Sequence, residues 1–597
     1  MKSKHSAIWR ERLAVLGAST ILASGLAMPS IAHDRDDLPS KTPIKHVVVI
    51  FEENRSFDHY FATYPFAANP SGSPKFIARD DTPAVNNLQA AGLLTSNPNI
   101  RQPFRYDRSE AYTCSLDHNY TDEQKSVNGG LMDKFVQATS RIGLGCRADG
   151  SSVMGYFDGN TVTALWNYAQ RYAMSDNSFD TTFGPSTPGA LNLISGMTGN
   201  SHLALTFGAG KVATFSPVTV TGDPDPALDD CGRDAGGTKT GQGTVEMQGK
   251  NVGDLLNAKG VTWGWFEGGF APTSPAVLNP DGSTATPAVC GTTHAGHPGV
   301  PNPSALNGNT ATPPTDVHTA VSDYSAHHQP FMYYPSTRNQ HHIRPASVSE
   351  IGHDGPANHQ YDTSDFFAAL KAGNLPAVSY IKPPAFQDDH PGNSDSLSAQ
   401  TFLVDTINAI QQSKEWAETA IIINWDDTDG WYDHVTGPVV NQSAFAAGTD
   451  NGSVNANDSY LPVLPISTST TPAKATAITT SGVCGVAGGA AGGVSAPRCG
   501  YGIRLPLLVV SPWSKENFVD HTVTDQSSSL AFIEYNWNLG SIDPAPTPLS
   551  QGGSFDQVAG SLLNMFDFDD HPNTRQVILD DSTGLVVRQH GFSYWKD

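Results

Sequence analysis

The sequence predicts an α/β fold with a mainly parallel central sheet that is flanked by helices and carries loop-rich insertions. Two observations support this prediction. Short apolar runs rich in β-branched residues recur along the chain, and segments with helical spacing of apolar residues lie between some of them. Runs that are apolar at every position are typical of strands buried on both faces, as in a parallel sheet covered by helices.

Four runs predict strands, and one long segment predicts a helix. The helical segment is AQTFLVDTINAIQQSKEW, residues 399–416, in which apolar residues recur at about every third or fourth position. The predicted strands are HVVVIF (46–51), AVSYI (377–381), AIIINW (420–425) and LPLLVVS (505–511).

The predicted organisation is a leader followed by one domain. Residues 1–32 are typical of a signal peptide, with basic residues before an apolar stretch and the small-residue sequence SIA ending at Ala32. The remainder, 33–597, is predicted to be a single domain with insertions at 208–320 and 436–500, which are rich in Gly, Ala, Ser, Thr and Pro. We therefore expect an exported protein, either periplasmic or secreted.

Charge and hydropathy limit the partners of the chain. The formal net charge is −23 at pH 7, which disfavours nucleic acid and anionic membranes as electrostatic partners. After the leader, no segment has the roughly 18 unbroken apolar residues that a membrane span needs. The sequence does not identify an oligomeric state.

The six cysteines are expected to form disulfides, because an even count in an exported chain is typical of oxidised cysteines. The connectivity is open at this point. Pairing in sequence order is the simplest of the arrangements that six cysteines allow, and it would join Cys114 to Cys146, Cys231 to Cys290 and Cys484 to Cys499.

Polar side chains follow two of the predicted strands at the point where each ends. Glu53 and Asn54 come after the first strand, and Asp426 and Asp427 follow AIIINW in the same way. Ligands of parallel sheets bind beyond the carboxyl ends of the strands, and four oxygen-bearing side chains at one edge would suit a divalent cation. The alternative is that each pair caps a turn or helix.

A pair of hydroxyl residues precedes a proline in the segment SFDTTFGPSTPGALNLISG, residues 178–196. Ser186 and Thr187 stand before Pro188, which is suited to the first position of a helix. A helix start offers free N–H groups to an anion, and a serine there beside a divalent cation could attack phosphorus. The alternative is a serine that only caps the helix.

Three histidines complete the candidate site. His118, His328 and His390 are each flanked by polar or turn-forming residues rather than by an apolar run. They could stabilise a phosphoryl group during transfer or protonate a leaving oxygen. Each one taken alone is also typical of a surface or structural histidine.

Together the motifs resemble the bacterial phosphoesterase family that contains phospholipases C and AcpA-type acid phosphatases, which is related in fold to alkaline phosphatases and arylsulfatases. The matching segments run in order from residue 44 to about residue 537, so they cover most of the chain after the leader. They are IKHVVVIFEENRSFDHYFATYP, NGGLMDKF, FGPSTPGALNLISG, HHQPFMYY, LPAVSYIKPPAFQDDHPGNSD, IIINWDDTDGWYDHV, GIRLPLLVVSPW and VDHTVTDQSSSLAFIEYNW.

The resemblance implies an alkaline phosphatase-like fold and one divalent metal ion, whose identity oxygen ligands do not reveal. It implies that Ser186 is the nucleophile that becomes transiently phosphorylated, with Thr187 as second choice. The histidines implied around the phosphate are His118, His328 and His390. The metal ligands implied are Glu53, Asn54, Ser186, Asp426 and Asp427.

These implications lead to one expected function and two alternatives. We expect an exported, metal-dependent phosphoric ester hydrolase, most closely an AcpA-type acid phosphatase acting broadly on phosphomonoesters. The phospholipase branch often carries a hydroxyl residue, any residue, and then Pro-Asn-Arg, whereas this chain continues Pro188-Gly189-Ala190. The first alternative is a phospholipase C that hydrolyses head-group diesters, for which the aromatic segment VTWGWFEGGF (261–270) would be either an apolar rim or core. The second is a non-catalytic, secreted, calcium-binding adhesive protein, which would have no use for Ser186.

Overall fold

A computed structural model describes residues 39–141, 145–207, 211–232, 244–297, 320–441, 454–455, 498–549 and 552–590. The predicted signal peptide, residues 1–32, lies outside the described residues. None of the helices within the described ranges has the length and hydropathy of a segment that crosses a membrane. The helices of these ranges are α1 (Phe57–Phe61), α2 (Tyr120–Val127), α3 (Phe135–Ala138), α4 (Thr163–Ala169), α5 (Ser186–Ser195), α6 (Val252–Lys259), α7 (Thr363–Ala372), α8 (Ser396–Gln411) and α9 (Ser527–Trp537).

The strands include all four that the sequence predicts, here β1, β14, β15 and β17. In chain order the strands are β1 (His46–Glu52), β2 (Phe104–Arg105), β3 (Gly155–Tyr156), β4 (Ala173–Phe179), β5 (Ser201–Phe207), β6 (Lys211–Val220), β7 (Thr244–Met247), β8 (Trp263–Glu267), β9 (Val277–Leu278), β10 (Thr284–Thr286), β11 (Thr293–Ala295), β12 (Ala320–Ser322), β13 (Gln360–Asp362), β14 (Val378–Lys382), β15 (Thr419–Trp425), β16 (Val454–Asn455), β17 (Arg504–Val510), β18 (Phe518–Asp520), β19 (Thr524–Asp525), β20 (Gln576–Leu579) and β21 (Val586–His590).

The main sheet is mostly parallel, as predicted. Its order is β13-β8-β14-β1-β15-β17-β4-β18, with β19 also paired to β4. β17 is antiparallel to both of its neighbours, and the other strand pairs of this sheet are parallel. β1 therefore lies at the centre, with β14 on one side and β15 on the other.

Helices cover both faces of this sheet, which gives a three-layer α/β arrangement. Val48 and Ile50 of β1 point into a core that includes apolar side chains of α4, α7 and α8. Val47, Val49 and Phe51 point into a second core with side chains of α5, α6 and α9. Burying each such side chain contributes about 1.5–3 kcal/mol, which explains why β1 is apolar at nearly every position.

The range 208–320 is not all insertion, which corrects the prediction. β8 lies inside the main sheet, between β13 and β14. Its residues Trp263, Trp265 and Phe266 are fully buried, so the alternative in which they form an exposed apolar rim is wrong. Parts of the two predicted insertions also meet, because β16 pairs with β6 in a sheet of order β16-β6-β5-β7. The single-domain boundary 33–597 stays a prediction.

The disulfides follow the sequential pairing where they are described. Cys114 is bonded to Cys146, and Cys231 is bonded to Cys290. Cys499 is also disulfide-bonded, and its predicted partner Cys484 lies outside the described residues.

Candidate active site

The carboxyl ends of neighbouring parallel strands bring the predicted site together. In the β1–β15 pair, Glu52 lies opposite Trp425, so the acids that follow each strand emerge at the same level. β17 is antiparallel to both β15 and β4, so β4 ends at the same edge and leads into α5. The side chains gathered at this edge are buried, and they are Glu53, Asn54, Ser186, Lys382, Asp426 and Asp427.

Asn54 ties the two acids of β15 to the end of β1. Its backbone N–H donates to Oδ1 of Asp426 at 2.9 Å, and its side-chain Nδ2 donates to Oδ1 of Asp427 at 3.0 Å. The φ of Asn54 is 61°, a left-handed conformation that asparagine tolerates better than most residues. Both ends of the asparagine therefore set the spacing between the acidic side chains.

Ser186 is the candidate nucleophile that faces the acids. Its hydroxyl oxygen lies 3.2 Å from Oδ2 of Asp427 and 3.4 Å from Oε2 of Glu53. The hydroxyl of Thr187 instead donates to the backbone oxygen of His327 at 3.2 Å. Ser186 does not cap the helix, because α5 begins at Ser186 itself, after Pro185.

The start of α5 differs slightly from the prediction. Pro188 is the third helical residue rather than the first. It still lies in the first turn, where N–H groups have no partner within the helix, so a proline is tolerated. The next residue, Gly189, packs against the loop after β15 that contains Asp426 and Asp427, here called the acidic loop. A Cβ atom on Gly189 would lie 2.1 Å from the backbone oxygen of Asp426. This contact holds the helix close to the acids.

The oxygen atoms at this edge fit a divalent cation. Oδ1 of Asn54 and Oδ2 of Asp426 are buried and have no hydrogen-bond partner among the described residues. The separations of 3.2 and 3.4 Å from the Ser186 oxygen to two carboxylates match adjacent ligands of an ion bound at about 2.1–2.4 Å. The residues that would hold the ion are Glu53, Asn54, Ser186, Asp426 and Asp427, as predicted, and this role stays a prediction.

The acids have strongly perturbed pKa values. Burial raises the pKa of Asp427 to about 7 and that of Asp426 well above its ordinary value, and repulsion from Glu53 adds to both. Burial also opposes ionisation of Glu53, but His328 and Lys382 outweigh it and hold the pKa of Glu53 well below its ordinary value. A bound cation would favour the ionised form of all three carboxylates.

Other clusters in the described residues compete less well for an ion. Three groups of His, Cys, Asp or Glu have ligand atoms within 4.8 Å of one another. One joins Glu53 to His328 and Asp388, at the edge described above. The second contains the Cys231–Cys290 disulfide, and the third surrounds the guanidinium of Arg504, which already ion-pairs with its aspartates.

A histidine and a lysine flank Glu53. Nδ1 of His328 lies 3.0 Å from Oε1 of Glu53, while Nε2 of His328 is buried with no hydrogen-bond partner in the described part of the chain. Lys382 ion-pairs with the same carboxylate oxygen and lies 3.8 Å from Oδ2 of Asp426. Lys382 is not among the site residues predicted from the sequence. It nevertheless lies directly after the predicted strand AVSYI, and Glu53 similarly lies two residues after the predicted strand HVVVIF.

His118 is held by an acid that the sequence analysis also missed. Its Nδ1 lies 3.1 Å from Oδ1 of Asp429 and 3.2 Å from the backbone oxygen of Leu116. Burial opposes protonation, but Asp427 and Asp429 raise the pKa of His118 well above its ordinary value. The two aspartates therefore favour the protonated form of His118. The signal for Asp429 was its place in DDTDG, a turn directly after β15.

His390 has the opposite electrostatic character. Its ring centre is 6.4 Å from that of His118, and burial lowers the pKa of His390 to about 4. The backbone N–H of Gly392 donates to Nδ1 of His390 at 2.9 Å, so the neutral ring carries its proton on Nε2. At neutral pH His390 is thus a neutral hydrogen-bond donor.

Glu123 of α2 connects the residues just before α5 to the acidic loop. Its Oε2 accepts from the backbone N–H of Gly184 at 3.0 Å, and its Oε1 accepts from the hydroxyl of Thr428 at 2.7 Å. Burial raises the pKa of Glu123 to about 8, and the charge of Asp427 adds to this. No sequence motif indicates Glu123, because both of its partners come from distant segments.

The structure thus brings every predicted site residue to one region. Asn54 contacts Asp426 and Asp427. Ser186 contacts Asp427 and Glu53, and His328 contacts Glu53. His118 reaches the group through Asp429, and His390 interacts electrostatically with Glu53 and Asp429. Which of them act in catalysis stays a prediction.

Comparisons with known proteins identify a family and several similar sequences. The model of the Phosphoesterase family matches residues 44–540. Similar proteins include a non-hemolytic phospholipase C of Pseudomonas aeruginosa and one of Burkholderia pseudomallei, each 24% identical, and phospholipase C A of Mycobacterium tuberculosis, 22% identical. The alignments cover 92%, 88% and 89% of this chain and 60%, 59% and 79% of these relatives. The chain therefore spans less than two thirds of the length of the first two.

Proposed function

Because the chain belongs to the Phosphoesterase family, we propose that it is a metal-dependent hydrolase of phosphoric esters that acts through a phosphoserine at Ser186. The observation that carries the proposal is the Ser186 hydroxyl at the start of buried α5, within 3.4 Å of carboxylates from two other segments. Family membership supports hydrolysis of a phosphoric ester bond. The mainly parallel sheet with helices on both faces supports the alkaline phosphatase-like fold class.

In the proposed reaction, the Ser186 oxygen attacks phosphorus in line with the leaving alcohol. The bond from Ser186 to phosphorus forms, the bond from phosphorus to the alcohol breaks, and phosphoserine results. The hydroxyl proton has acceptors in the carboxylates of Asp427 and Glu53. A divalent cation held by the five predicted ligands would make the hydroxyl more acidic and offset the phosphate charge.

Water then attacks the phosphoserine and releases the phosphate together with any head group that it carries. Each of the two in-line displacements inverts the configuration at phosphorus. The proposal therefore requires net retention of configuration.

The three histidines have different proposed roles because their protonation differs. The raised pKa of His118 makes it a fixed positive charge beside the phosphoryl oxygens. His328 offers Nε2, which is buried without a partner among the described residues, to the substrate. His390 or His328 protonates the leaving oxygen. The pKa of about 4 for His390 makes that residue effective as an acid only in acidic solution.

We propose phosphomonoesters as the main substrates, in the manner of the AcpA-type acid phosphatases. The observation that supports this is Gly189, which stands where the phospholipase pattern has asparagine. A Cβ at that position would meet the backbone of Asp426 at 2.1 Å, so this backbone does not accommodate the phospholipase motif.

A phospholipase C acting on head-group diesters is the second candidate. The names of the relatives favour it. The segment around β9 and β10 also exposes Val277, Leu278 and Val289, which would offer a small apolar surface to lipid. For either candidate, the predicted leader and the disulfides support export to the periplasm or the exterior.

The test compares the parent protein with Ser186→Ala and with the matched control Thr187→Ala, each assayed with several divalent ions. The substrates are p-nitrophenyl phosphate and p-nitrophenyl phosphorylcholine, which share a leaving group and separate monoesterase from diesterase activity. We expect Ser186→Ala to lose turnover and Thr187→Ala to keep most of it. Acid quenching of the parent should trap phosphate on the Ser186 peptide. Absence of turnover by the parent under every metal condition would leave the non-catalytic adhesive alternative.

A further inference from the structure

A carboxylate from a separate loop occupies the start of the Ser186 helix. The backbone N–H of Thr187 donates to Oδ1 of Asp223 at 2.9 Å. The residue at the N-cap of α5, Pro185, supplies no side-chain hydrogen bond to the helix. Asp223 therefore takes the place of a local cap, and it puts a negative charge where the free N–H groups of α5 would otherwise favour an anion.

Asp223 also faces the histidines of the site. It is half-buried, and His118 and His328 both interact with its charge. These two histidines belong to the site, since His118 contacts Asp429 and His328 contacts Glu53. Asp223 therefore interacts with two histidines of the site and contacts the residue that follows Ser186.

Other charged and titratable groups around this loop have partners of their own. His327 is 3.9 Å from Asp225, and the hydroxyl of Tyr333 donates to the backbone oxygen of Pro224 at 2.5 Å. The titratable groups that face Asp223 from the elements around it are His118, His328 and Tyr333, and those near them are His327 and Asp225.

We infer that Asp223 selects substrates by charge: it disfavours a phosphate group with two negative charges and admits one with a single charge. This inference rests on the proposed function. One peptide bond separates Ser186 from the N–H that Asp223 binds, so a phosphoryl group in position for attack must approach this carboxylate. A second negative charge on the substrate then adds repulsion at short range.

The consequence depends on the ionisation of the substrate. A phosphodiester carries one negative charge throughout the neutral range, whereas a phosphomonoester gains its second charge around a pKa of about 6. Asp223 would therefore restrict phosphomonoester hydrolysis to acidic solution and leave phosphodiester hydrolysis less dependent on pH. Burial raises the pKa of Asp223 itself, so acidification acts in the same direction on substrate and protein. One site would then hydrolyse both candidate substrate classes, with a different pH dependence for each.

The experiment measures kcat/KM for p-nitrophenyl phosphate and for methyl p-nitrophenyl phosphate from about pH 5 to about pH 8, spanning the second ionisation. These substrates share a leaving group and differ in charge. Asp223→Asn removes the charge but keeps an oxygen acceptor for Thr187. The control is Asp281→Asn, which changes the net charge equally in an exposed turn remote in sequence. All proteins are assayed as metal-loaded, full-length enzyme.

In the parent we expect the monoester-to-diester ratio of kcat/KM to fall steeply above the second pKa of the monoester. At about pH 8 the ratio should be at least about tenfold higher in Asp223→Asn than in the parent, a difference typical of one nearby charge. Asp281→Asn should follow the parent. An Asp223→Asn protein with the parent's ratio at every pH overturns the inference. So does an equal loss on both substrates with lowered stability, which would mean that Asp223 only caps α5.

A second measurement needs no variant. Inhibition of the parent by inorganic phosphate, which gains a charge in this range, is compared with inhibition by dimethyl phosphate, which does not. Inhibition by phosphate should become weaker relative to inhibition by dimethyl phosphate as the pH rises. If it becomes relatively stronger, the inference is overturned. Failure of the proposed function looks different, because the parent would then hydrolyse neither ester or Ser186→Ala would match it.

Discussion

Replacing Lys382 with methionine should destabilise the metal-free protein strongly and the metal-loaded protein much less. The ammonium group of Lys382 is buried between the carboxylates of Glu53 and Asp426. Methionine keeps most of the side-chain volume but removes the charge. The acids would then repel each other without a counter-ion unless a divalent cation or a proton takes over that role.

The magnitude follows from the geometry. At 3.8 Å from Oδ2 of Asp426, an effective dielectric constant of about 20 gives an attraction of about 4 kcal/mol. Removing one member of a buried ion pair costs about 3–5 kcal/mol in measured cases. We therefore expect Lys382→Met to lower the free energy of unfolding by about 3–5 kcal/mol in the presence of a chelator. This is a large share of a typical total of about 5–15 kcal/mol.

The assay is urea unfolding at about pH 8, with a chelator and then with single divalent ions, since Asp427, with a pKa of about 7, is largely ionised there. Lys414→Met is the matched control, because Nζ of Lys414 also lies 3.8 Å from a carboxylate but its side chain is 74% exposed. Its effect should be below about 1 kcal/mol. Equal free energies of unfolding for the two variants in chelator would refute the reasoning. So would a loss of stability in Lys382→Met that no divalent ion reduces.

Two further perturbations test the packing and the electrostatics of the site. Gly189→Ala puts a Cβ 2.1 Å from the Asp426 backbone oxygen, so α5 or the acidic loop must shift, and kcat/KM on p-nitrophenyl phosphate should fall about 100-fold. Ala190→Gly, which weakens the same helix by about 1 kcal/mol without a clash, should keep most activity, and similar losses in both variants would contradict the packing argument. Asp429→Asn removes one of the carboxylates that raise the pKa of His118, so the alkaline limb of kcat/KM on methyl p-nitrophenyl phosphate should move to lower pH. Protonation of His118 stabilises the fold fully below its ordinary pKa, and this stabilisation is lost as the pH rises through the raised pKa. The urea midpoint of Asp429→Asn should therefore fall most below about pH 6.5 and least in alkaline solution. An unmoved alkaline limb would contradict this role of Asp429.

The parts of the fold that depend on one strand and its neighbours could be predicted from the sequence. The apolar run HVVVIF (46–51) predicts β1, and the rule that ligands bind at the carboxyl ends of parallel strands places Glu53 and Asp426 at one edge. Their strands are neighbours in the structure. β8 was missed for a physical reason. Its two tryptophans sit in a stretch rich in Gly, Thr and Pro, so local composition indicated a surface segment, while burial between β13 and β14 is decided by long-range pairing.

The contacts that complete the site could not be predicted because they depend on loop conformations. Asn54 and Asp429 both have positive φ values, 61° and 53°, which redirect the chain immediately after a strand. Glu123 and Asp223 accept hydrogen bonds from residues on either side of Ser186, although both come from segments far away in sequence. A sequence pattern identifies residues suited to a chemistry. It does not specify which distant carboxylate will accept a hydrogen bond from the backbone N–H of Gly184 or of Thr187.

The charges of the site together constrain what a phosphate ester can meet there. The formal charge of the chain is −23, and Glu53, Asp426, Asp427 and Asp223 all lie around Ser186. Lys382 pairs with two of these acids, which leaves His118 as the cation of raised pKa available to substrate among the described side chains of the site. When these acids are ionised, one imidazolium does not outweigh them, so the bare edge would then repel a phosphate ester. A divalent cation among the five predicted ligands would have to reverse the sign of the local potential before Ser186 can react. Substrate binding should therefore depend on the metal as strongly as the chemical step does.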